Sequence, residues 1–254
     1  MLKHIITRDT LFYSGASYIA IFIGFFVSVF SKRFLGVSGA GYWALLTVAT
    51  TYGMYIGLGI QNALIREVPQ CIGAKEIEKA EEIENVTYSF LLVAGLAGAF
   101  VIWILSFFLF EDPLLRIGMK IIAVLILVTQ FYNLILNILR ARKQISILSR
   151  VAVLNALFVA VLALPGAYLF NVNGFAIGMV IATALSFYFA KRWANISFSL
   201  NYNWAQMWHQ IKIGLSMLLA SILYRTFLSI DKIMIGKMIG IEQLGLYTIG
   251  IMAI

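Results

Sequence analysis

Residues 33–42 read RFLGVSGAGY and residues 237–246 read KMIGIEQLGL. At a constant offset of 204 residues, Arg33 matches Lys237, Leu35 matches Ile239, Gly36 matches Gly240, Val37 matches Ile241 and Gly41 matches Gly245. Five matched residue classes in ten positions identify an internal repeat. Both copies solve the same physical problem, because each follows one long apolar run and precedes another. Gly36 and Gly240 suit the end of the first helix, since glycine takes a left-handed turn without a Cβ penalty. Gly41 and Gly245 let the next helix approach a neighbour closely. The chain therefore holds one structural unit and the beginning of its copy.

Composition says what kind of unit this is. The chain has 254 residues, 62% apolar and 12% charged, with a mean hydropathy of +0.94. A soluble domain carries about half apolar and a quarter charged residues, so a water-soluble globule is excluded. At roughly 20 apolar residues per bilayer crossing, the length accommodates about eight transmembrane helices. The expected fold class is all-α, a polytopic transmembrane helix bundle. Cys71 is the single cysteine, which removes an intramolecular disulfide and a cysteine metal cluster. His4 and His209 have no ligand-spaced partners, so no metal and no cofactor are expected. Lys and Arg number 19 against 11 Asp and Glu, a net charge of +8. On a soluble protein that excess would suggest nucleic acid. Here it fits loops facing anionic lipid, and no nucleic-acid partner is expected.

Apolar runs fall at about residues 11–30, 40–62, 86–110, 117–139, 151–170 and 174–190, with a less clean seventh at 211–236 and an eighth from Gly245 to Ile254. The first is about twice the length of a signal-peptide core and lacks a small-residue cleavage site, so it reads as a retained span. A cytoplasmic N-terminus puts 12 cations on the cytoplasmic side, among them Lys3, Arg8, Arg66, Arg140, Arg142 and Lys191. It leaves 5 outside: Lys32, Arg33, Arg116, Lys120 and Lys237. That bias sets the orientation. The short, uncharged turn Asn171-Val172-Asn173-Gly174 forces the fifth and sixth helices into an antiparallel pair. Residues 74–85, AKEIEKAEEIEN, are expected to form a short cytoplasmic surface helix. Residues 193–209, with Trp193, Trp204 and Trp208, are expected to form an amphipathic linker on the cytoplasmic leaflet. The resulting boundaries are 1–190 for a six-helix lobe, 191–210 for the linker and 211–254 for the first two helices of a second lobe. The last run reaches Ile254 without a closing loop, so the chain reads as a piece of one of roughly 400 to 500 residues by the same count per crossing.

Four polar stripes run along these helices. In the seventh span Ser221, Arg225, Ser229 and Lys232 are spaced 4, 4 and 3 apart, which puts them on one face of a continuous helix. Arg225 lies near mid-span, roughly 15 to 20 Å from either end and beyond simple snorkelling. A guanidinium there needs a partner or water. Asp231 falls off the stripe and is expected to pair with Lys232 or with another helix. The first span carries Ser14, Ser17, Gly24, Ser28 and Ser31. The second carries Thr47, Thr50, Thr51, Tyr52 and Tyr55, then Gln61, Asn62 and Arg66. In the fourth, Gln130, Asn133, Asn137, Arg140 and Gln144 are 3, 4, 3 and 4 apart. Serines and amides alone can be glue between helices. A mid-span arginine with a lysine seven residues on points instead to a hydrated, cationic cavity. Its natural guest is a phosphate-bearing or acidic-sugar head group, held by charge-assisted hydrogen bonds.

The N-terminal GASYIAIFIGFFVSVFSKRFLGVSGAGYWALL, the Leu64-Ile65-Arg66-Glu67 end of the second span and SIDKIMIGKMIGIEQLGLYTIG from Ser229 resemble the polysaccharide transporter branch of the MOP flippase superfamily, which includes the Wzx-type O-antigen flippases. The resemblance covers essentially the whole chain and is most specific from Asp231 to Gly250. It implies a two-lobed transporter in the cell membrane. Such a protein carries an isoprenoid-diphosphate-linked oligosaccharide to the outer leaflet by alternating access, for surface polymers such as the O-antigen of lipopolysaccharide. Carried over, Arg66, Arg225, Asp231 and Lys232 stand where this family often has charges on its second and seventh helices. The implied partners are the lipid-linked substrate, membrane lipids, and the polysaccharide polymerase and glycosyltransferases. Most of the second lobe is expected to be missing. A cation-coupled multidrug antiporter of the same superfamily should show acids in its first-lobe lumen, and the first six spans hold none. A membrane-embedded glycosyltransferase or polymerase needs a long loop with paired carboxylates. The one exterior acidic pair, Glu111-Asp112, sits in a turn of about ten residues, so the chain is not expected to be an enzyme.

Overall fold

The computed structural model describes residues 2–109 and 111–252, with side chains described over 13–108 and 111–251. Lys3, His4, Arg8 and Ile254, used above for orientation and length, lie outside the described side chains. Among the described residues there is no strand. The helices are α1 (Leu2–Gly53), α2 (Ile60–Gly73), α3 (Ile77–Leu109), α4 (Pro113–Ala141), α5 (Ile145–Phe158), α6 (Leu164–Ala194), α7 (Trp204–Phe227), α8 (Ile230–Met238) and α9 (Ile241–Met252). Among the described residues four helical stretches are long and apolar enough to cross a membrane, or five when the bent pair α7 and α8 counts as one. Two of them contain a reversal and make two passes each, which restores the order of passes expected from the sequence.

The first reversal is at Gly36 (φ 67, ψ −175), inside α1. Gly24 and Thr47, on either side of it, border one cavity, so the two legs lie side by side. Gly240, its repeat partner, has φ 126 and breaks the chain between α8 and α9. Both stop glycines thus adopt the conformation that the repeat requires. The second reversal is at Phe170 and Asn171 (φ 54) inside α6, in the short turn that was expected. Gly166 and Gly174 then face each other so closely that a Cβ on either would collide with the other's carbonyl oxygen. α4 starts where Asp112 caps it by accepting from the Leu114 N–H at 2.8 Å, with Pro113 at its first position. It is the central helix: 61% of its apolar window is buried, against 11 to 22% for the other long stretches, whose apolar surface faces outward.

Three expected elements differ. The second pass is not one helix. A 3-10 turn at Met54–Gly57, then Leu58 (φ 46) and Gly59 (φ 73), separate α1 from α2. Gly53, Gly57 and Gly59 weaken the helix there, and each allows a close contact, with Ile126, Gln130 and Gly214 respectively. Residues 77–85 are not a separate surface helix but the first turns of α3. Ala80, Ile83 and Glu84 are buried there, and Arg142 binds both carboxylate oxygens of Glu84 at 2.8 and 2.7 Å. The linker is shorter than 191–210, because α6 runs on to Ala194 and α7 begins at Trp204. Residues 195–203 are an extended strap on α3. The Ser199 N–H donates to Asn85 Oδ1 (3.0 Å), the Asn201 N–H to Ser89 Oγ (2.8 Å) and Asn203 Nδ2 to Glu82 Oε1 (2.7 Å). Phe198 stacks on Tyr88 with ring centroids 4.6 Å apart.

The turns near Gly36, Asp112, Asn171 and Gly240 gather at one end of the bundle. There the Tyr42 hydroxyl donates to Asp112 at 2.5 Å, and a Cβ on Gly39 would touch Asn171. The other end, carrying Arg66, Arg142, Lys143, Lys191, Arg192 and the strap, is termed the basic end. At the glycine end the two copies of the repeat meet. A Cβ on Gly41 would strike the Ile241 carbonyl oxygen, and one on Gly245 would strike that of Val37. Val37 with Ile241 and Gly41 with Gly245 are the matched pairs at offset 204. The contact is therefore reciprocal, as a twofold axis between the second and eighth passes demands.

Candidate functional site

The larger of two cavities along the second pass has a volume of about 720 Å³ and is lined from α1, α5, α6, α8 and α9. Small residues make the room: Ala20, Gly24, Ser28 and Ser31 share one face of the first pass. Trp43 and Phe175, edge to face at 4.7 Å, line it from the second and sixth passes. Where α5 gives way to α6, a π turn spans Val159–Ala163, and Val159 reaches the lining. The cavity straddles the repeat axis. Its three lining residues from the second copy, Lys232, Thr248 and Ile251, match Ser28, Ala44 and Thr47 at offset 204, and all three counterparts also line it.

Lys32 and Lys232 are the cations of this lining, and among the described residues no Asp or Glu joins them. Lys32 was expected in an outer turn. It sits instead on the last helical turn before the Gly36 break, half-buried, with its ammonium donating to the Thr248 carbonyl at 2.7 Å. Asp231 does not engage the Lys232 ammonium. One of its oxygens accepts the Lys232 backbone N–H at 2.8 Å, and the other accepts from the Tyr247 hydroxyl.

The second cavity, of about 390 Å³, lies among the broken middle of the second pass, α4 and α7. It gathers Gln130, Asn133, Asn137, Arg140 and Ser221 with Gln61. A chain of side chains runs through it. Arg140 Nη1 donates to Asn137 Oδ1, Asn137 Nδ2 to Gln61 Oε1 and Gln61 Nε2 to Gln130 Oε1, at 2.8, 2.8 and 2.9 Å. Gln130 Nε2 ends the chain on the Met54 carbonyl at 2.8 Å, satisfying a group exposed by the break. Gln130 and Asn137 are buried. Much of the fourth-span stripe therefore holds the broken second pass in place.

The seventh-span stripe is not one helix face. α7 and α8 meet at 44° around Leu228 and Ser229. The Ser229 hydroxyl takes the Arg225 carbonyl at 2.7 Å, and its N–H bonds Thr226 instead at 3.2 Å, which tightens and bends the last turn. Tyr52 holds the bend from across the boundary, 2.9 Å from Ser229 Oγ, while Tyr55 donates to the Ser221 carbonyl at 3.0 Å. Ser221 consequently borders the second cavity and Lys232 the first; Arg225 and Arg66 are exposed and line neither. Sequence reading overlooked Lys32, Thr248, Trp43 and Asn155 as lining residues. Extending the 204-residue offset past Gly245 would have pointed to Ala44 and Thr248 together.

Broken apolar spans, an internal repeat and a cavity on the repeat axis are features that many helical transporter folds share. The chain belongs to the polysaccharide biosynthesis protein family, whose model matches residues 31–253. Among solved structures it is similar to the outward-facing conformation of a multidrug resistance MATE family transporter of the MOP superfamily, with a TM-score of 0.66 and 15% identity over 85% of this chain and 52% of that one. The inward-facing conformation of a MATE family transporter gives a TM-score of 0.59 and 14% identity over 86% of this chain and 56% of that one. A MOP-superfamily transporter from Pyrococcus furiosus Vc1, for which reversed polarity of the binding pocket is described as suggesting a different function, gives 0.64 and 15% over 85% and 52%. The fold is thus the MOP fold, and the chain spans about half the length of these structures. No curated protein matches it in sequence.

Proposed function

We propose that the protein moves an isoprenoid-diphosphate-linked oligosaccharide from the cytoplasmic to the outer leaflet of the cell membrane, for surface polysaccharides such as O-antigen. The basic end faces the cytoplasm in this reading. Residues up to about 190 form one lobe and those from 211 begin a second, and the cavity between them opens to each side in turn.

The observation that carries this reading is the cavity on the repeat axis, with Lys32 and Lys232 in its wall and no Asp or Glu among its described lining residues. Ammonium groups inside a bundle at membrane depth are costly unless they meet an anion or water. A diphosphate supplies the anion, and an attached sugar would meet the hydroxyls of Ser28, Ser31 and Thr47 in the same lining. Membership of the polysaccharide biosynthesis family supports a sugar cargo. A cation-coupled drug antiporter would instead call for a carboxylate in that lining. Cells from which the gene is deleted are expected to lose surface polymer and to accumulate lipid-linked oligosaccharide reachable only from the cytoplasmic face. Unchanged surface polymer in the deletion strain would overturn the proposal.

A further inference from the structure

The larger cavity contains a bond that crosses between the two copies of the repeat. Lys32 Nζ on the first pass donates to the Thr248 carbonyl on the eighth, at 2.7 Å. The repeat has no second copy of this tie. At offset 204 the counterparts of Lys32 and Thr248 are Gly236 and Ala44, and Gly236 packs instead against the side chains of Leu45 and Leu244. One side of the axis is therefore joined by an ammonium, the other by an apolar contact.

The partner of Lys32 is a neutral peptide carbonyl, while a second ammonium, Lys232, lines the same cavity. Two cations facing one space repel each other and draw in an anion. A phosphate oxygen is a stronger acceptor for an ammonium than a neutral carbonyl, the more so away from bulk water. Beside the tie the second and eighth passes meet closely, with the carbonyl and side chain of Ile241 against Gly41 and those of Val37 against Gly245. The tie thus joins the first pass to an eighth pass that already packs on the second.

We propose that Lys32 is a ligand-exchanged latch: a phosphate-bearing group entering between Lys32 and Lys232 takes the Lys32 ammonium from the Thr248 carbonyl and so releases the eighth pass from the first. The latch rests on the cavity being the anion site of the function proposed above. Lys32 acts in it as a positioning residue, converting occupancy of the cavity into movement between the lobes.

The test uses the full chain in bilayer nanodiscs, with Cys71→Ser and spin labels at Val29→Cys and Leu246→Cys, on the first and eighth passes. Inorganic pyrophosphate is titrated against sulfate and chloride at matched ionic strength, and the interlabel distance is read by pulsed electron resonance. Pyrophosphate is expected to lengthen the distance. Lys32→Met should be long from the outset and unresponsive. Lys232→Met should stay short and need at least about tenfold more pyrophosphate, the loss of one charge-assisted contact. Lys32→Arg, which keeps a cationic donor, should restore the response and shows that the Lys32→Met result is not misfolding. A parent distance that pyrophosphate does not change, or a Lys32→Met chain that behaves like the parent, overturns the latch. If gene deletion leaves surface polymer normal while pyrophosphate still acts through Lys32, the function reading fails and the latch stands. If deletion abolishes surface polymer but the distance ignores Lys32, the latch fails and the function reading stands.

Discussion

Gly36 and Gly240 are positions where one residue type decides the path of the chain. Their φ values of 67 and 126 exclude most side chains, and that demand is local, which is why both were legible in the sequence. Gly41 and Gly245 answer a different demand, the approach of another backbone. Gly245→Val should overpack the crossing and cost about 1 to 3 kcal/mol, seen as a lower unfolding midpoint in detergent. Asp112 is a smaller case. The Tyr42 hydroxyl, followed by the Leu114 and Leu115 N–H groups, holds its carboxyl below the usual carboxylate range. A depressed folded value contributes stability above the unfolded pKa, and that contribution is lost as pH falls through the folded one. Acid unfolding of the parent should therefore show a component that Asp112→Asn lacks, while Asp112→Ala also loses the α4 cap, worth about 1 kcal/mol. Lys32 was the residue misread. Its place beside Arg33 at the outer end of the first span suggested solvent, whereas its partner, the Thr248 carbonyl, is 216 residues away and carries no mark in the sequence.

The helices were legible as apolar runs, and so were the turns at Gly36, Asn171 and Gly240, but two breaks inside the runs were not. The interruption at 54–59 depends on Gln130 reaching the Met54 carbonyl from another helix, and the bend at Leu228 and Ser229 is held by Tyr52 from across the bundle. Periodicity along one segment cannot report such partners, so the seventh-span stripe read as continuous. Gln130→Leu should leave the Met54 carbonyl and the Gln61 amide without their partner and cost about 1 to 3 kcal/mol. Hydrogen exchange localised to residues 54–60 would show the loss. The strap is a second such element. Asn85→Ala with Ser89→Ala removes two of its three side-chain anchors, and amides at 197–203 should then exchange faster while those of α4 stay protected. Equal protection of the strap in that double variant would mean that the Tyr88 and Phe198 stack and the Asn203 bond to Glu82 suffice to hold it.

At the scale of the molecule, the repeat is what makes the cavity intelligible. The reciprocal glycine contacts and the matched lining residues put one axis through the glycine crossing and the cavity. Composition announced a membrane bundle, and the offset of 204 announced its symmetry. The cavity needed coordinates, because it is built from five helices that the sequence holds apart. Its chemistry can be tested directly by following translocation of a polyprenyl-diphosphate oligosaccharide across proteoliposomes carrying the parent chain or the Lys32→Met, Lys232→Met double variant. Translocation by the parent and at least about a tenfold slower rate in the variant, each lysine contributing a charge-assisted contact, is the expected result; equal rates in the two would contradict a cationic cavity as the path of the substrate.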